Sequence, residues 1–162
     1  MTAVELEQLR AAAAEVPDPE IPVLTIAELG ILREVRRGPD GQAEVVLTPT
    51  YSGCPATEAI RADVLARTRA VDPQARVVIE LAPAWTTDWI TETGRHKLAE
   101  FGIAPPQPTR GPVGLQLGRR IVACPRCGSE DTEEISRFGS TPCKALRRCR
   151  ACAEPFDEFK SL

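Results

Sequence analysis

The residues of this 162-residue chain best suited to chemistry are its six cysteines, and five of them crowd the last 39 positions. Cys124-Pro125-Arg126-Cys127 and Cys149-Arg150-Ala151-Cys152 are two Cys-x-x-Cys pairs with 21 residues between them. Two residues between thiolates let both sulfurs reach one ion from a tight turn. Two such knuckles facing each other give the tetrahedral sulfur cage of a structural zinc ribbon. Gly128 follows the first pair, where the backbone turns back on itself; Ala153 holds the corresponding place after the second and suits that turn less well. Cys143 belongs to neither pair, so Cys124, Cys127, Cys149 and Cys152 are the expected ligands. Iron is the chemical competitor, because the same four thiolates describe a rubredoxin-type electron carrier. Rubredoxins pack aromatic rings around the metal, however, and this chain is only 4% aromatic.

The sixth cysteine stands apart. Cys54 lies in TPTYSGCPATEAI, directly before Pro55 at the expected first position of a helix. A thiol there faces unpaired backbone N–H groups and the positive end of the helix dipole, a setting that favours nucleophilic or metal-binding sulfur. Thr48, Thr50, Tyr51 and Ser52 add hydroxyls to the same loop. No general base accompanies it: the single histidine, His96, is far along the chain, and residues 1–118 hold no second cysteine to resolve a disulfide. The plainer alternative is a small apolar residue that caps a helix. Trp85 and Trp89, four apart in PAWTTDWI, are expected to share a helix face, with Asp88, Thr86 or Thr87 as the cap. Lys144, Arg147, Arg148 and Arg150 form a basic stretch beside the second knuckle, read first as a solvated face that offsets thiolate charge.

The elements that would position these groups follow from periodicity and from proline. Thr2 caps a helix whose apolar stripe is Leu6, Leu9, Ala13 and Val16. Pro17, Pro19 and Pro22 stop it, so DPEIP is an extended turn. A strand near Ile31–Arg36, a GPDG turn at Gly38–Gly41 and a return strand at Glu44–Thr48 make a hairpin. A helix is expected over Pro55–Val71, with Ile60, Val64, Leu65 and Thr68 on one stripe. Ala75–Ala82 reads as a strand buried on both faces, and Asp88–Phe101 as a last helix. The fold class is therefore α+β: a small mixed α/β domain in the order α-β-β-α-β-α over residues 1–103. A Pro/Gly-rich linker follows at 104–118, then a four-cysteine ribbon at 119–162, with strands expected at Ile121–Ala123, Thr132–Phe138 and Ala153–Phe159. The ribbon has few large apolar residues, and zinc contributes roughly 10–16 kcal/mol of binding free energy to modules of this kind.

Charge and hydropathy narrow the classes further. The net charge is −3, and residues 1–118 carry 11 Lys+Arg against 16 Asp+Glu. Residues 119–162 carry 9 against 7, a small excess that four thiolates and one divalent ion would cancel. Neither half is a nucleic-acid surface by charge. No apolar run of about 18 residues offers a membrane span, and the acidic N-terminus lacks the pattern of a secretory signal, so a cytoplasmic protein with no membrane partner is expected. The cysteines then read as metal ligands rather than disulfides. There is no glycine-rich nucleotide loop and no Glu-x-x-His pair for a di-iron centre.

Four segments together resemble a known family: DPEIPVLTIAELGIL, LTPTYSGCPA, LAPAWTTDWITETGRHKLAEFGIAPP and FGSTPCKALRRC. They are similar to the PaaD family of bacterial phenylacetate degradation, whose members accompany the multicomponent phenylacetyl-CoA epoxidase. The N-terminal half is similar to the domain of SufT-type iron–sulfur assembly factors, with Glu28 where their DPE…DLG pattern has aspartate. The resemblance implies a non-catalytic accessory of the epoxidase. Its partners would be the reductase and oxygenase subunits, and its cargo iron or an iron–sulfur unit held transiently at Cys54 with help from Asp18, Glu20 and Glu28. One thiol cannot hold a cluster alone, so a homodimer, a client or a small thiol would complete the coordination. A structural or coupling component of the epoxidase is the second reading, and the rubredoxin-like carrier the third.

Overall fold

The structure, a computed structural model, describes residues 3–108 and 120–161 and divides into two compact units, Met1–Thr91 and Glu92–Leu162. The expected cap Thr2 and most of the expected linker lie outside the described residues.

The first unit is built around a short mixed sheet. Helix α1 (Ala3–Ala14) buries Leu9 and Ala13, four apart on one face, with Leu6 packed beside them. The prolines end it, and Asp18 shapes the turn: its Oδ1 accepts the N–H groups of Glu20 (2.9 Å) and Ile21 (2.8 Å). Strands β1 (Leu32–Arg37) and β2 (Ala43–Leu47) are the expected antiparallel hairpin. Gly41 closes their turn at φ +81°, donating to the Gly38 carbonyl. Helix α2 (Ala56–Arg69) buries Ile60, Val64 and Thr68 and returns the chain to β3 (Arg76–Ile79), which pairs parallel with β2.

Two expectations fail here. The apolar run that begins at Ala75 is not buried on both faces: β3 is an edge strand, Val77, Val78 and Ile79 are half-buried, and Leu81 is exposed. The strand buried throughout is β2, because the order β1-β2-β3 places it centrally. The helix expected over Asp88–Phe101 is also interrupted. A single 3₁₀ turn at Thr87–Trp89, capped by the Thr86 hydroxyl, precedes α3 (Glu92–Glu100). Between them Ile90 is extended and buried, and the Thr91 N–H donates to the Glu28 carbonyl (2.9 Å) instead of continuing a helix.

The tryptophans consequently do not share a helix face. Trp85 is buried and donates Nε1–H to the Leu29 carbonyl (3.0 Å), whereas the Trp89 ring lies under the Arg33 guanidinium at 3.5 Å. Gly30, at φ +73°, passes so close to Trp89 that an added Cβ would sit 2.6 Å from its carbonyl oxygen. Glycine is required there by both backbone and space.

The second unit contains α3, the two-residue strand β4 (Ile103–Ala104) and strands β5 (Thr132–Ser136), β6 (Lys144–Cys149) and β7 (Pro155–Phe159). They form one sheet in the order β4-β7-β6-β5, antiparallel except for β4 against β7. Ile121–Ala123, expected as a strand, is not one; β6 supplies a central position that the sequence reading missed. Its basic residues hid it. Lys144 and Arg147 are buried rather than solvated, because acids on the neighbouring strand receive them: Lys144 Nζ lies 3.6 Å from Asp157 and Arg147 Nη1 3.1 Å from Glu158. Arg120 also pairs with Glu158. Arg148 and Arg150 stay exposed beside Glu133, as a solvated face requires. One apolar cluster packs Ala104, Val122 and Phe156 with Cys124 and Cys149, and Leu98, Ile103, Ala145 and Phe159 are buried as well.

Candidate metal centre and thiol loop

The sheet of the second unit carries the two knuckles at one end. Cys149 is the last residue of β6, its backbone N–H bonded to the Glu154 carbonyl (3.0 Å), and it sits opposite Thr132 of β5. The other knuckle is closed by the Gly128 N–H donating to the Cys124 carbonyl (2.9 Å). Gly128 takes φ +73° and Ala153 φ +63°, so both knuckles end in the same left-handed turn although only one has glycine there. The Sγ atoms of Cys124 and Cys152 are 3.8 Å apart and those of Cys127 and Cys149 3.6 Å, with all four within 4.8 Å of one another. A tetrahedral ion with metal–sulfur bonds of about 2.3 Å sets its sulfurs roughly 3.8 Å apart, so the arrangement fits a thiolate-bound metal. Cys143 is outside the group; it is buried, with the Thr141 hydroxyl 3.0 Å from its sulfur.

Backbone amides polarise this cage unevenly. The Cys152 N–H, directed at the Cys149 sulfur, outweighs burial and brings that thiol down to about 7. The Ser129 N–H pulls Cys127 the same way, but the hydrogen bond with Cys149 and burial outweigh it and push Cys127 up to about 12. Cys124 and Cys149 are buried while Cys127 and Cys152 reach the surface, so half of the cage faces solvent.

In the first unit, Cys54 precedes Pro55, whose helical backbone (φ −66°, ψ −24°) leads into α2. Its N–H donates to the Tyr51 carbonyl (3.2 Å) and its carbonyl accepts the Thr57 N–H (3.1 Å), so the loop is a closed turn with the thiol half-exposed. The acidic residues occupy other turns. Asp18 is buried in the turn described above. Glu28 Oε2 accepts the Thr25 N–H (2.9 Å) while the Thr25 hydroxyl accepts the Glu28 N–H (3.2 Å), a reciprocal cap. Glu20 is half-buried. Among the described residues, only the four tail cysteines form a cluster of three or more metal-ligating side chains; Cys54, Asp18, Glu20 and Glu28 do not converge into one. The positioning residues that sequence reasoning missed are Arg147 and Glu158, which hold β6 and hence Cys149; the signal available was the charge alternation of KALRRC against PFDEF.

Comparison with known proteins adds to this geometry. Residues 6–81 match the family described as iron-sulfur cluster assembly protein, and residues 108–160 the PaaD zinc beta ribbon domain. Over 98% of its length the chain is 47% identical to a protein of Escherichia coli (strain K12) named as a putative 1,2-phenylacetyl-CoA epoxidase component, covering 94% of that protein. It is 38% identical, over 50% of its length and 78% of the relative's, to an Fe-S protein maturation auxiliary factor of Porphyromonas gingivalis. Among solved structures, a domain of unknown function DUF59 from Bacillus anthracis superposes with a TM-score of 0.52 at 24% identity, over 59% of this chain and 92% of that one, which establishes the fold.

Proposed function

This chain belongs to the PaaD family, and from that premise we propose that it is a maturation factor for the phenylacetyl-CoA epoxidase system. An accessory role follows from the family itself. Cys54 holds iron or an iron–sulfur unit as cargo, helped by Asp18, Glu20 and Glu28, and passes it to the reductase or oxygenase. A client, a second copy or a small thiol supplies the remaining ligands. Cys124, Cys127, Cys149 and Cys152 hold a structural zinc ion, which supplies cross-linking free energy and no redox chemistry. An assembly domain and a ribbon express the same division of labour, and the ribbon docks the client.

The observation that carries this reading is the half-exposed thiol at the head of α2, inside the segment matched by the iron–sulfur assembly family. Soft sulfur suits iron–sulfur cargo, and a single accessible donor suits transfer better than storage. The test is Cys54→Ser. The variant is expected to fold and retain one zinc per chain, while epoxidase proteins produced with it contain a small fraction of their normal iron. Fully loaded partners would overturn the cargo role. The E. coli relative, named as part of the epoxidase, favours one second reading, a coupling component with a fixed place in the complex; a constant stoichiometry in the purified active epoxidase would select it.

A further inference from the structure

The two edges of the first unit's sheet are finished differently. Strand β1 has an irregular register between Leu32 and Glu34 and exposes Arg33, Glu34 and Arg37, devices that keep an open edge from pairing. Between Arg76 and Glu80, strand β3 has neither a bulge nor a charge. Its register with β2 is unbroken from Arg76 to Ile79, and Val77, Val78 and Ile79 are all half-buried. Successive side chains point to opposite faces, so apolar surface shows on both sides of the strand. The Glu80 N–H donates to the Leu47 carbonyl (2.9 Å), and alternation turns the backbone of Val78 and Arg76 toward β2 as well. The N–H and C=O groups of Val77 and Ile79 therefore face the side where no strand lies among the described residues.

The order Arg76-Val77-Val78-Ile79-Glu80 selects the occupant. It is self-complementary about Val78. A second copy laid antiparallel sets Arg76 against Glu80, Val77 against Ile79 and Val78 against itself. The outward groups of Val77 then exchange both hydrogen bonds with those of Ile79 in the other copy, so backbone and charge call for the same register. A parallel copy in register would set like charges side by side. The Arg76 and Glu80 side chains are 45% and 37% exposed, and within the chain they pair with Asp40 and Arg36. Contact between copies would join these pairs into a row, Asp40-Arg76-Glu80-Arg36. We propose that β3 pairs with β3 of a second copy of this chain, joining two three-stranded sheets across a twofold axis, with the protected β1 left as the edge on both sides. The Cys54 loop follows β2, and antiparallel pairing points the two β2 strands in opposite directions. The two thiols then stand at opposite ends of the joined sheet, so this dimer leaves the missing cargo ligands to a client or a small thiol.

The test is sedimentation and amide exchange of the zinc-loaded full chain. Few residues meet per copy, so a weak dimer is expected, half-formed at about 0.1 mM. Passing from dilute to concentrated solution should slow exchange at Val77 and Ile79 at least tenfold and leave Leu32–Arg37 unchanged. Arg76→Glu and Glu80→Arg each set like charges together, and each alone should dimerise at least tenfold more weakly. An equimolar mixture of the two restores opposite charges across the axis and should recover the dimer, with tryptophan emission checking that both variants are folded. A chain still monomeric at about 1 mM, a dimer without protection of Val77 and Ile79, or a mixture no tighter than its components would each overturn the inference. Protection of these residues by an epoxidase protein in a chain that stays monomeric would give the edge to a client and overturn it equally. Iron loading of the epoxidase enters none of these readouts, so the cargo role stands or falls separately.

Discussion

The two units of this molecule solve the problem of holding a short sheet together by different means. In Met1–Thr91 the central strand β2 is buried at every position, and two helices cover the sheet with Leu9, Ile60 and Val64. In Glu92–Leu162 the inner strand β6 is half basic. Lys144 and Arg147 lie inside, matched by Asp157 and Glu158, and two cysteines join the apolar cluster. Cysteine accordingly stands in opposite settings. In the second unit four thiols are committed to each other; in the first, one thiol stands half-exposed at the head of a helix, outside any such cluster.

Opening the cage gives the largest effect. Cys149→Ser or strong chelation is expected to abolish the fold of the second unit while leaving the first, because structural zinc binding is folding free energy for such modules. Both tryptophans belong to the first unit, so their fluorescence should stay native while the amide resonances of β5–β7 collapse. Acid acts in the same direction, since ligands must be thiolates: metal affinity falls as pH drops, and metal release should precede any change in tryptophan emission.

Next in size is Arg147→Ala. Glu158 is 2% exposed, and losing its buried partner, with the more exposed Arg120 still paired to it, should cost up to about 3 kcal/mol, read as earlier metal release in urea. Gly30→Ala probes the first unit instead. It forces a Cβ onto the Trp89 backbone at positive φ and should cost that unit about 3 kcal/mol by tryptophan-monitored unfolding, with zinc retention unchanged. The smallest effect is a gain. Ala153→Gly relieves the left-handed turn behind the second knuckle and should stabilise the ribbon by about 1 kcal/mol, visible as slower loss of metal to a chelator.

Several of these features were open to inspection in the chain. The paired spacing of Cys124/Cys127 and Cys149/Cys152 needs only a tight turn to bring two sulfurs together, and the prolines after Val16 dictate where α1 stops. The hairpin at Gly38–Gly41 is likewise local. Such features are set by bonds and sterics within a few residues, which is why spacing predicts them. The identity of the central strands is another matter. RVVI reads as strongly apolar yet lies at an edge, and KALRRC looks solvated yet lies inside its sheet, because burial depends on which strands pair.

Taken alone, the order of amino acids specifies the chemistry available: four paired thiols and a lone one before a helix, helix stops, turns and the succession of elements. Long-range packing settled the rest. It held Ile90 extended ahead of the last helix while Thr91 bonds across to the Glu28 segment, parted Trp85 from Trp89, and buried two basic side chains of the ribbon sheet. The reason is physical. Local geometry is encoded over three or four residues, whereas the worth of a buried charge or an unpaired backbone group depends on what distant parts of the chain bring within about 3 Å of it.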